Sequence, residues 1–298
     1  DVTVNFSEPV TLAGGTLEVA LGSGGSVSIS AFSSAMSASG TYTVLATENS
    51  TDLTATSPLT LNGSTLVDAG ANTAALTIPG GQNIADTKAI VVDTTAPTIS
   101  SVTSSTGDGI YGIGDTINVT VNFDEPVTLA GGTLDVALNS GGSVSIAAFG
   151  PALSASGTYT VLATENNSDL TATSPLTLSA GTLRDSAGND TDLTIPGGQN
   201  IADTKAIVID TTAPVSYSVA IDQTVINAAN QTASGFTFAA AETGVDYTYS
   251  IDDPANGATT AITGSGTTVT ATDTISGIDV STLDDATLTL TVYLTDAA

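Results

Sequence analysis

The chain contains no cysteine, no histidine and no tryptophan among its 298 residues, and only three residues are lysine or arginine. Without cysteine there is no disulfide framework. The lack of cysteine fits an exported protein as well as a cytosolic one, so it does not indicate the redox compartment. Without histidine a Ser-His catalytic triad is excluded. The scarcity of basic side chains makes nucleic acid and anionic membrane surfaces poor partners, because phosphate groups are bound by clustered lysine and arginine.

Acidic side chains, by contrast, number 30 and bring the formal net charge to −27. A chain with this net negative charge is expected to bind cations. The hydrophobic fraction is 41%, which is unlike the composition of a disordered chain. We therefore expect a folded protein whose carboxylates are screened or bound.

A long internal repeat organises the sequence. Residues 1–97 recur as residues 118–214 without insertion or deletion, and 76 of the 97 paired positions are identical. A unit of this length is too long for a solenoid and suits a whole domain. We predict a first domain at 1–97 that lacks its N-terminal part, a complete second domain at 98–214, and a divergent third domain at 215–298 that is C-terminally truncated. The chain is then a fragment of a longer polypeptide.

Short runs of alternating apolar and polar residues, rich in threonine and valine, fill each unit. In the second unit they lie at 117–123, 132–138, 142–149, 157–164 and 205–210, and each is bounded by glycine, proline, asparagine or aspartate. No 12-residue window carries a helical stripe. About seven such strands per unit predict an all-β fold of tandem immunoglobulin-like antiparallel β-sandwiches in a linear array.

The units are joined by the sequence DTTAP, at residues 93–97 and again at 210–214. Proline cannot donate a ladder hydrogen bond and keeps the preceding residue extended. No Gly/Ser tether, which would behave as a loose coil, is present at either junction. We therefore expect short, stiff connectors and a rod-like array.

Two stretches resemble a known family: DTTAPTISSVTSSTGDGIYGIGDTINVTVNFDEPVTL and ENNSDLTATSPLTLSAGTLRDSAGN. They look like the tandem Ig-like, cadherin-like repeats of very large secreted bacterial adhesins, including those of the RTX type. The resemblance covers residues 1–214, and more loosely 215–298 through LTLTVYLTDAA. It implies an extracellular or cell-surface extender region of a bacterium, with neighbouring Ig-like domains as partners and calcium at the joints. It implies no distal ligand.

The carboxylates sort into two groups when the strands are placed in a seven-strand Greek key, because loops at opposite poles of neighbouring sandwiches meet at each joint. The first joint collects Glu48, Asp52, Asp93, Asp124, Glu125, Asp185 and Asn189. The second joint collects Asp108, Asp115, Glu165, Asp169, Asp210, Glu242 and Asp296.

Hard oxygen ligands without histidine or cysteine select Ca²⁺ or Mg²⁺, and a flexible set of six or more oxygens favours Ca²⁺. Asp93 and Asp210 lie on the connectors themselves. The plainer alternative for any single carboxylate is a solvated charge that aids solubility. In the first unit the sequence VDAGANTAA replaces RDSAGNDTD, so Asp68 keeps its place while the two acids that follow in the second unit are missing.

Three functions fit these observations, and the favoured one is a structural extender stiffened by Ca²⁺. The second is a carbohydrate- or protein-binding module in the third unit, with Phe238, Tyr247 and Tyr249 as contact candidates. The third is an accessory region of a secreted enzyme. Catalysis by the chain itself is not expected, since nothing marks a cleft for a carboxylate pair.

Overall fold

The computed structural model describes residues 1–253 and 260–296 and confirms the all-β prediction. Within that part of the chain there are two helices of four residues each, and no helix is long and apolar enough to cross a membrane.

The first repeat (residues 1–97) contains β1 (Val2–Ala20), β2 (Ser26–Gly40), β3 (Thr60–Asp68) and α1 (Ile84–Thr87). The second repeat (residues 98–214) contains β4 (Ile99–Thr103), β5 (Gly109–Tyr111), β6 (Thr116–Ala137), β7 (Ser143–Thr160), β8 (Thr177–Ser179), β9 (Thr182–Arg184), α2 (Ile201–Thr204) and β10 (Ile207–Ile209). The third segment (residues 215–298) contains β11 (Ser218–Ile221), β12 (Ser234–Ala239), β13 (Asp246–Asp252), β14 (Ile262–Thr267), β15 (Thr274–Ile278) and β16 (Thr289–Thr295).

Pairing within the sheets is antiparallel apart from one short parallel pair. In the second repeat β6 is central: β4, β7, β8 and β9 all pair with it. The parallel pair joins β5 to β10. The first repeat has the order β2-β1-β3, and the third segment has two sheets, β11-β12-β15 and β14-β13-β16.

The alternation in the sequence is realised along β6. Val119, Val121 and Phe123 are at most 4% exposed, whereas Thr120 and Asn122 between them are only half-buried. Successive side chains of a strand point to opposite faces, so this pattern places one face of β6 in the core. The register of the strand is therefore set by burial.

The sequence pattern predicts separate strands at 117–123 and 132–138, whereas the structure joins them into one strand that passes through the glycine pair at 131–132. β6 continues from Thr116 to Ala137 along β7, with its register shifts between Asn122 and Thr133. Gly132 has φ +62°, and a Cβ atom there would lie 2.2 Å from the Ala180 carbonyl oxygen. The pair forms a bulge because the partner strand runs on past it.

Buried apolar side chains form three clusters, one in each repeat and one in the third segment. In the third segment Phe236 and Phe238 of one sheet meet Tyr247 and Tyr249 of the other, with ring centroids 5.4–6.3 Å apart. The rings meet edge to face, which is favoured by their quadrupoles. This packing of two sheets across aromatic side chains is a β-sandwich.

One asparagine ties α2 to the sheet. Asn200 accepts from the backbone N–H of Ala172 (2.9 Å) and of Ile201 (2.8 Å), and its Nδ2 donates to the Ala172 carbonyl (2.8 Å). Asp203 in turn accepts from the Asn200 N–H at 2.8 Å, completing a capping box. Asn83 makes the same contacts with Ala55 in the first repeat.

The substitution Asn200→Ala is expected to lower the free energy of unfolding of the second repeat by about 2–3 kcal/mol. It removes a helix cap and leaves the partly buried backbone groups of Ala172 without partners. Calorimetric melting should show one transition shifted down, and Asn83→Ala should shift a different one. Unchanged transitions in both variants would contradict this role.

Candidate metal centre

Two groups of three carboxylates come together at the connectors. They are Asp93, Glu125 and Asp185 (the first triad), and Asp210, Glu242 and Asp296 (the second triad). In each triad, oxygens of all three side chains lie within 4.8 Å of one another. Each triad takes its first aspartate from a DTTAP connector and its other two acids from the unit that follows.

The first triad is built by loops that are fixed locally. Asp185 is 8% exposed, and it accepts hydrogen bonds from the N–H of Gly188 (2.7 Å), the N–H of Asn189 (2.9 Å) and Asn189 Nδ2 (2.7 Å). Asn189 Nδ2 also lies 3.3 Å from the Asp93 carbonyl oxygen. The loop that presents Asp185 is thus bonded to the connector that presents Asp93.

The connector is also held from both sides. Asp93 accepts from the Thr95 N–H at 2.9 Å, which is an Asx turn within DTTAP. The Thr94 N–H donates to Asn49 of the first repeat at 2.8 Å. On the other side Asp124 accepts from the N–H and the hydroxyl of Thr98, at 2.7 and 2.8 Å. These bonds fix the direction in which the chain enters the second repeat.

The pKa values of two carboxylates in the first triad are shifted in opposite directions. Burial raises the pKa of Glu125, and the nearby charges of Asp93, Asp185 and Asp124 raise it further. Burial acts in the same direction on Asp185, but hydrogen bonds from Asn189 and from the backbone of Gly188 and Ala187 outweigh it and lower the pKa of Asp185. The triad therefore holds one well-stabilised carboxylate beside one that is destabilised by its neighbours.

The second triad repeats the connector geometry. Asp210 accepts from the Thr212 N–H at 2.9 Å, and the Thr211 N–H donates to Asn166 at 2.7 Å. Burial raises the pKa of Glu242, followed by the charges of Asp296 and Asp210. Glu242 and Asp296 come from a segment with little sequence likeness to the repeats, and yet they complete a triad of the same composition with the connector aspartate.

The other sequence-predicted ligands lie outside the two triads. Glu48 accepts from the Tyr42 hydroxyl and the Leu45 N–H, both at 2.8 Å. Glu165 does the same with Tyr159 and Leu162, both at 2.7 Å. Asp115 accepts from the Gly112 N–H, and Asp108 from the Ala206 N–H. The exposed side chains of Asp52, Asp124 and Asp169 belong to neither triad, and Asn189 touches the first one through its amide.

Glu165 has an internal structural role. The Tyr159 hydroxyl lies 3.0 Å from Ser140 as well as 2.7 Å from Glu165. Burial first, opposed by Ser140 and reinforced by Glu165, raises the pKa of Tyr159 to about 12. The phenol therefore stays protonated and donates to the carboxylate.

Asn49 and Asn166 were not among the candidate ligands of the sequence interpretation. They brace the connectors through the bonds to Thr94 and Thr211. Their signal in the sequence is the recurrence of Glu-Asn 45 residues before the connector threonine in both repeats. The recurrence alone does not say what the amide touches.

The aromatic candidates for a binding surface lie inside the third segment. Phe238 is 0% exposed and Tyr247 is 7% exposed, and Tyr249 packs against the same core. The buried rings of Phe238 and Tyr247 stabilise the sandwich, whereas Tyr249 is only half-buried.

The chemistry of the donor set fits a hard divalent cation. Each triad offers only carboxylate oxygens, and the described residues contain one ion pair, Arg184 with Asp190 at 2.6 Å, which lies outside both triads. Three carboxylates within 4.8 Å repel one another unless a cation lies between them. Calcium accepts six to eight oxygens in a flexible geometry, so carbonyls and water can complete the set.

No family model matches the chain, and no curated protein matches it. Among solved structures it is similar to a tetra-tandem repeat in the extending region of a large adhesion protein, at 18% identity and a TM-score of 0.33. That likeness covers 98% of this chain and 64% of the other. It is also similar to the FN1-FN3 domains of chicken CNTN1, at 9% identity and a TM-score of 0.29, covering 99% and 91%. Neither likeness carries a functional argument.

Proposed function

We propose that this chain is part of the structural extender region of a large bacterial surface or secreted adhesin. In this function the repeats form a rod, and Ca²⁺ bound at the two triads stiffens its joints. The partners of each unit are the neighbouring units of the same polypeptide, outside the bacterial cell. The observation that carries the proposal is the pair of equivalent acidic triads, one at each connector.

The placement of the triads supports a role in stiffness. Each contains an aspartate from the DTTAP connector and two acids from the unit that follows. A cation bound to all three would therefore fix the connector against that unit. Asn49 and Asn166 already bind the next residue of each connector, Thr94 or Thr211, to the preceding repeat. Together the contacts leave little freedom for bending.

The repulsion between the carboxylates and the free energy of calcium binding are both large enough to change how firmly the joints are held. Two charges 4.8 Å apart repel by about 0.9 kcal/mol in water and about 3.5 kcal/mol at an effective dielectric of 20. For an extracellular site with a Kd of roughly 10⁻⁴ M, calcium at ~10 mM stabilises the bound form by on the order of 2.7 kcal/mol. Units of ~40 Å would make a rod of about 120 Å from three of them.

The test is small-angle scattering and melting of the full chain in calcium and in chelator. Calcium should increase the maximum dimension and raise the melting temperature by several degrees, on the order of 5 °C. Titration calorimetry should find two sites per chain, one for each triad. Magnesium at the same concentration serves as the comparison, since it prefers a smaller octahedral site.

Two outcomes would contradict the proposal. One is an unchanged maximum dimension and melting temperature on adding calcium. The other is a titration that shows no saturable site, because a diffuse counterion atmosphere around a highly acidic chain gives no defined stoichiometry.

A further inference from the structure

The dipeptide Asn62–Gly63 distinguishes the first repeat from the second, where the equivalent residues are Ser179 and Ala180. Asn-Gly is a common sequence for the two-residue turn of a β-hairpin. Here, however, the pair lies inside β3, which continues from Thr60 to Asp68 along β1. Formation of a hairpin turn therefore does not account for this pair.

Both residues of the pair are accessible. Asn62 and Gly63 are exposed, and β3 lies at the edge of the sheet β2-β1-β3. The equivalent Ser179 and Ala180 are exposed as well, in a repeat that contains its own β4. The exposure is therefore a property of this position in both repeats. An edge strand with exposed backbone opens locally at low cost in free energy.

The backbone at Gly63 leaves room for a side chain to approach. Gly63 has φ +66°, far from the extended φ of a regular strand. A Cβ atom built on Gly63 would meet no heavy atom within 4 Å, apart from those of its chain neighbours. The peptide nitrogen of Gly63 is thus shielded neither by a side chain of its own residue nor by one that packs over it.

We propose that Asn62 is a site of spontaneous deamidation in the folded chain, with water as the only co-reactant. Asparagine is a thermolabile residue, and a following glycine presents no Cβ atom to hinder the reaction. The Gly63 backbone nitrogen attacks Cγ of Asn62, the bond from Cγ to Nδ2 breaks, and ammonia leaves with the proton of the Gly63 nitrogen. The modification goes beyond the extender function, because it involves neither triad and needs no cation.

The succinimide ring formed in this step is opened by water in one of two ways. Attack at Cγ gives aspartate in a normal chain. Attack at the main-chain carbonyl gives isoaspartate, in which the chain continues through Cβ and Cγ and the former carbonyl becomes a free carboxylate. The first product adds only a negative charge, whereas the second also adds one carbon atom to the backbone of β3.

The isoaspartate product does not fit beside β1. A Cβ atom on Gly15 would lie 1.8 Å from the Asn62 carbonyl oxygen, and one on Gly14 would lie 2.8 Å from the Gly63 carbonyl oxygen. The two backbones are therefore in close contact here, which glycine permits. A longer backbone with a carboxylate in place of the Asn62 carbonyl disrupts this contact, so the modified first repeat should be less stable.

The test is incubation of the full 298-residue chain at mildly alkaline pH, then digestion after acidic residues and mass spectrometry. The unmodified chain releases residues 53–68 as one peptide. Isoaspartate should appear as the same peptide with a gain of one mass unit, whereas normal aspartate creates a new cleavage site after residue 62. Mapping by peptide is needed because the sequence has a second such pair, Asn256–Gly257, which lies outside the described residues.

The chain and its second repeat supply the references. The free peptide TLNGSTL (residues 60–66) measures the rate without a fold, and the rate in the chain should fall within about tenfold of it. The peptide of residues 170–185 is the second-repeat equivalent of 53–68 and contains no asparagine, so its mass should not change.

Two substitutions copy the second repeat. Asn62→Ser removes the reacting amide and should abolish the mass gain in residues 53–68. Gly63→Ala introduces the residue that has φ +65° at position 180, so the fold accommodates it. Its Cβ atom hinders the attack, and deamidation should be slower by at least about tenfold.

Melting of aged protein tests the structural consequence. In aged wild type the transition of the first repeat should fall by several degrees, on the order of 5 °C, and in aged Asn62→Ser it should not move. Fresh Asn62→Asp should melt close to the wild type, because it adds the charge without the additional backbone carbon.

Three results would overturn the proposal. The first is an unchanged peptide 53–68 under conditions in which the free peptide deamidates, since the fold would then protect Asn62. The second is an equal mass gain in the Asn62→Ser chain. The third is an aged wild type that contains isoaspartate at residue 62 and melts like the fresh protein.

Discussion

In chelator, protein carrying Glu125→Gln should melt at a higher temperature than the wild type, and in calcium the order should reverse. Without a cation, Glu125 is a partly buried carboxylate beside Asp93 and Asp185, and its raised pKa reports that its charge is unfavourable. Glutamine removes that charge at nearly constant volume. With calcium present, the same charge becomes a ligand, and the wild type gains the binding free energy that the variant lacks.

The sign of this crossover follows from linkage. A carboxylate whose folded pKa is raised contributes stability that is fully present below its unfolded pKa and is lost as the pH rises through the folded value. At pH 7 the full penalty is therefore present in the calcium-free wild type and absent from the glutamine variant. The gap between the two melting curves in chelator should close as the pH falls toward the ordinary range of a glutamate.

Calorimetric titration of matched variants tests which triad provides each calcium site. Glu125→Gln and Glu242→Gln should each reduce two calcium sites to one, and the double variant should retain none. Asp169→Asn removes one charge at a position outside both triads, so it should leave both sites intact. If Asp169→Asn abolished a site, or if Glu125→Gln melted lower than the wild type in chelator, the assignment of the triads would be wrong.

Asp185→Ala is expected to destabilise the second repeat even without calcium, by about 2–4 kcal/mol. Asp185 is 8% exposed and accepts three hydrogen bonds from its own loop. Alanine leaves those donors without an acceptor, which costs more than the bonds themselves contribute. Calorimetry in chelator should show one transition lowered by roughly 10 °C. In calcium the variant should also lose the first site.

The first repeat supplies the control for this variant. Asp68 also accepts three bonds from its own loop, from the Gly70 N–H, the Asn72 N–H and Asn72 Nδ2, each at 2.8 Å. It is more exposed than Asp185, and it belongs to neither triad. Asp68→Ala should therefore cost less stability and leave both calcium sites in place. Equal losses for the two variants would show that burial of Asp185 has no part in its effect.

The bulge in β6 shows where sequence reasoning ends in this fold. Alternation at residues 117–123 and 132–138 correctly indicates strands, because burial of one face demands a period of two. Whether a glycine pair between them reverses the chain or bulges is decided by the partner. β7 runs past Gly132, so the strand continues. That information lies in residues 143–160 and cannot be found in the local pattern.

For the candidate metal site, too, the sequence indicates one part and only the fold shows the rest. Composition alone indicates hard cations and oxygen ligands, and the DTTAP motif alone picks out Asp93 and Asp210. Glu48 and Glu165 carry the same charge and lie in equally acidic stretches, but Oε2 of each accepts from a tyrosine hydroxyl and a backbone N–H of its own repeat. Only the fold distinguishes the two cases, because it determines which loops meet.

The sequence by itself determined the duplicated unit and the alternating strands, and it predicted short connectors and hard cations, since each depends on residue type and short spacing. The tertiary structure alone decided which acids converge. Asp93 and Asp185 are 92 residues apart, and their oxygens approach within 4.8 Å only because strand pairing brings distant loops to one pole.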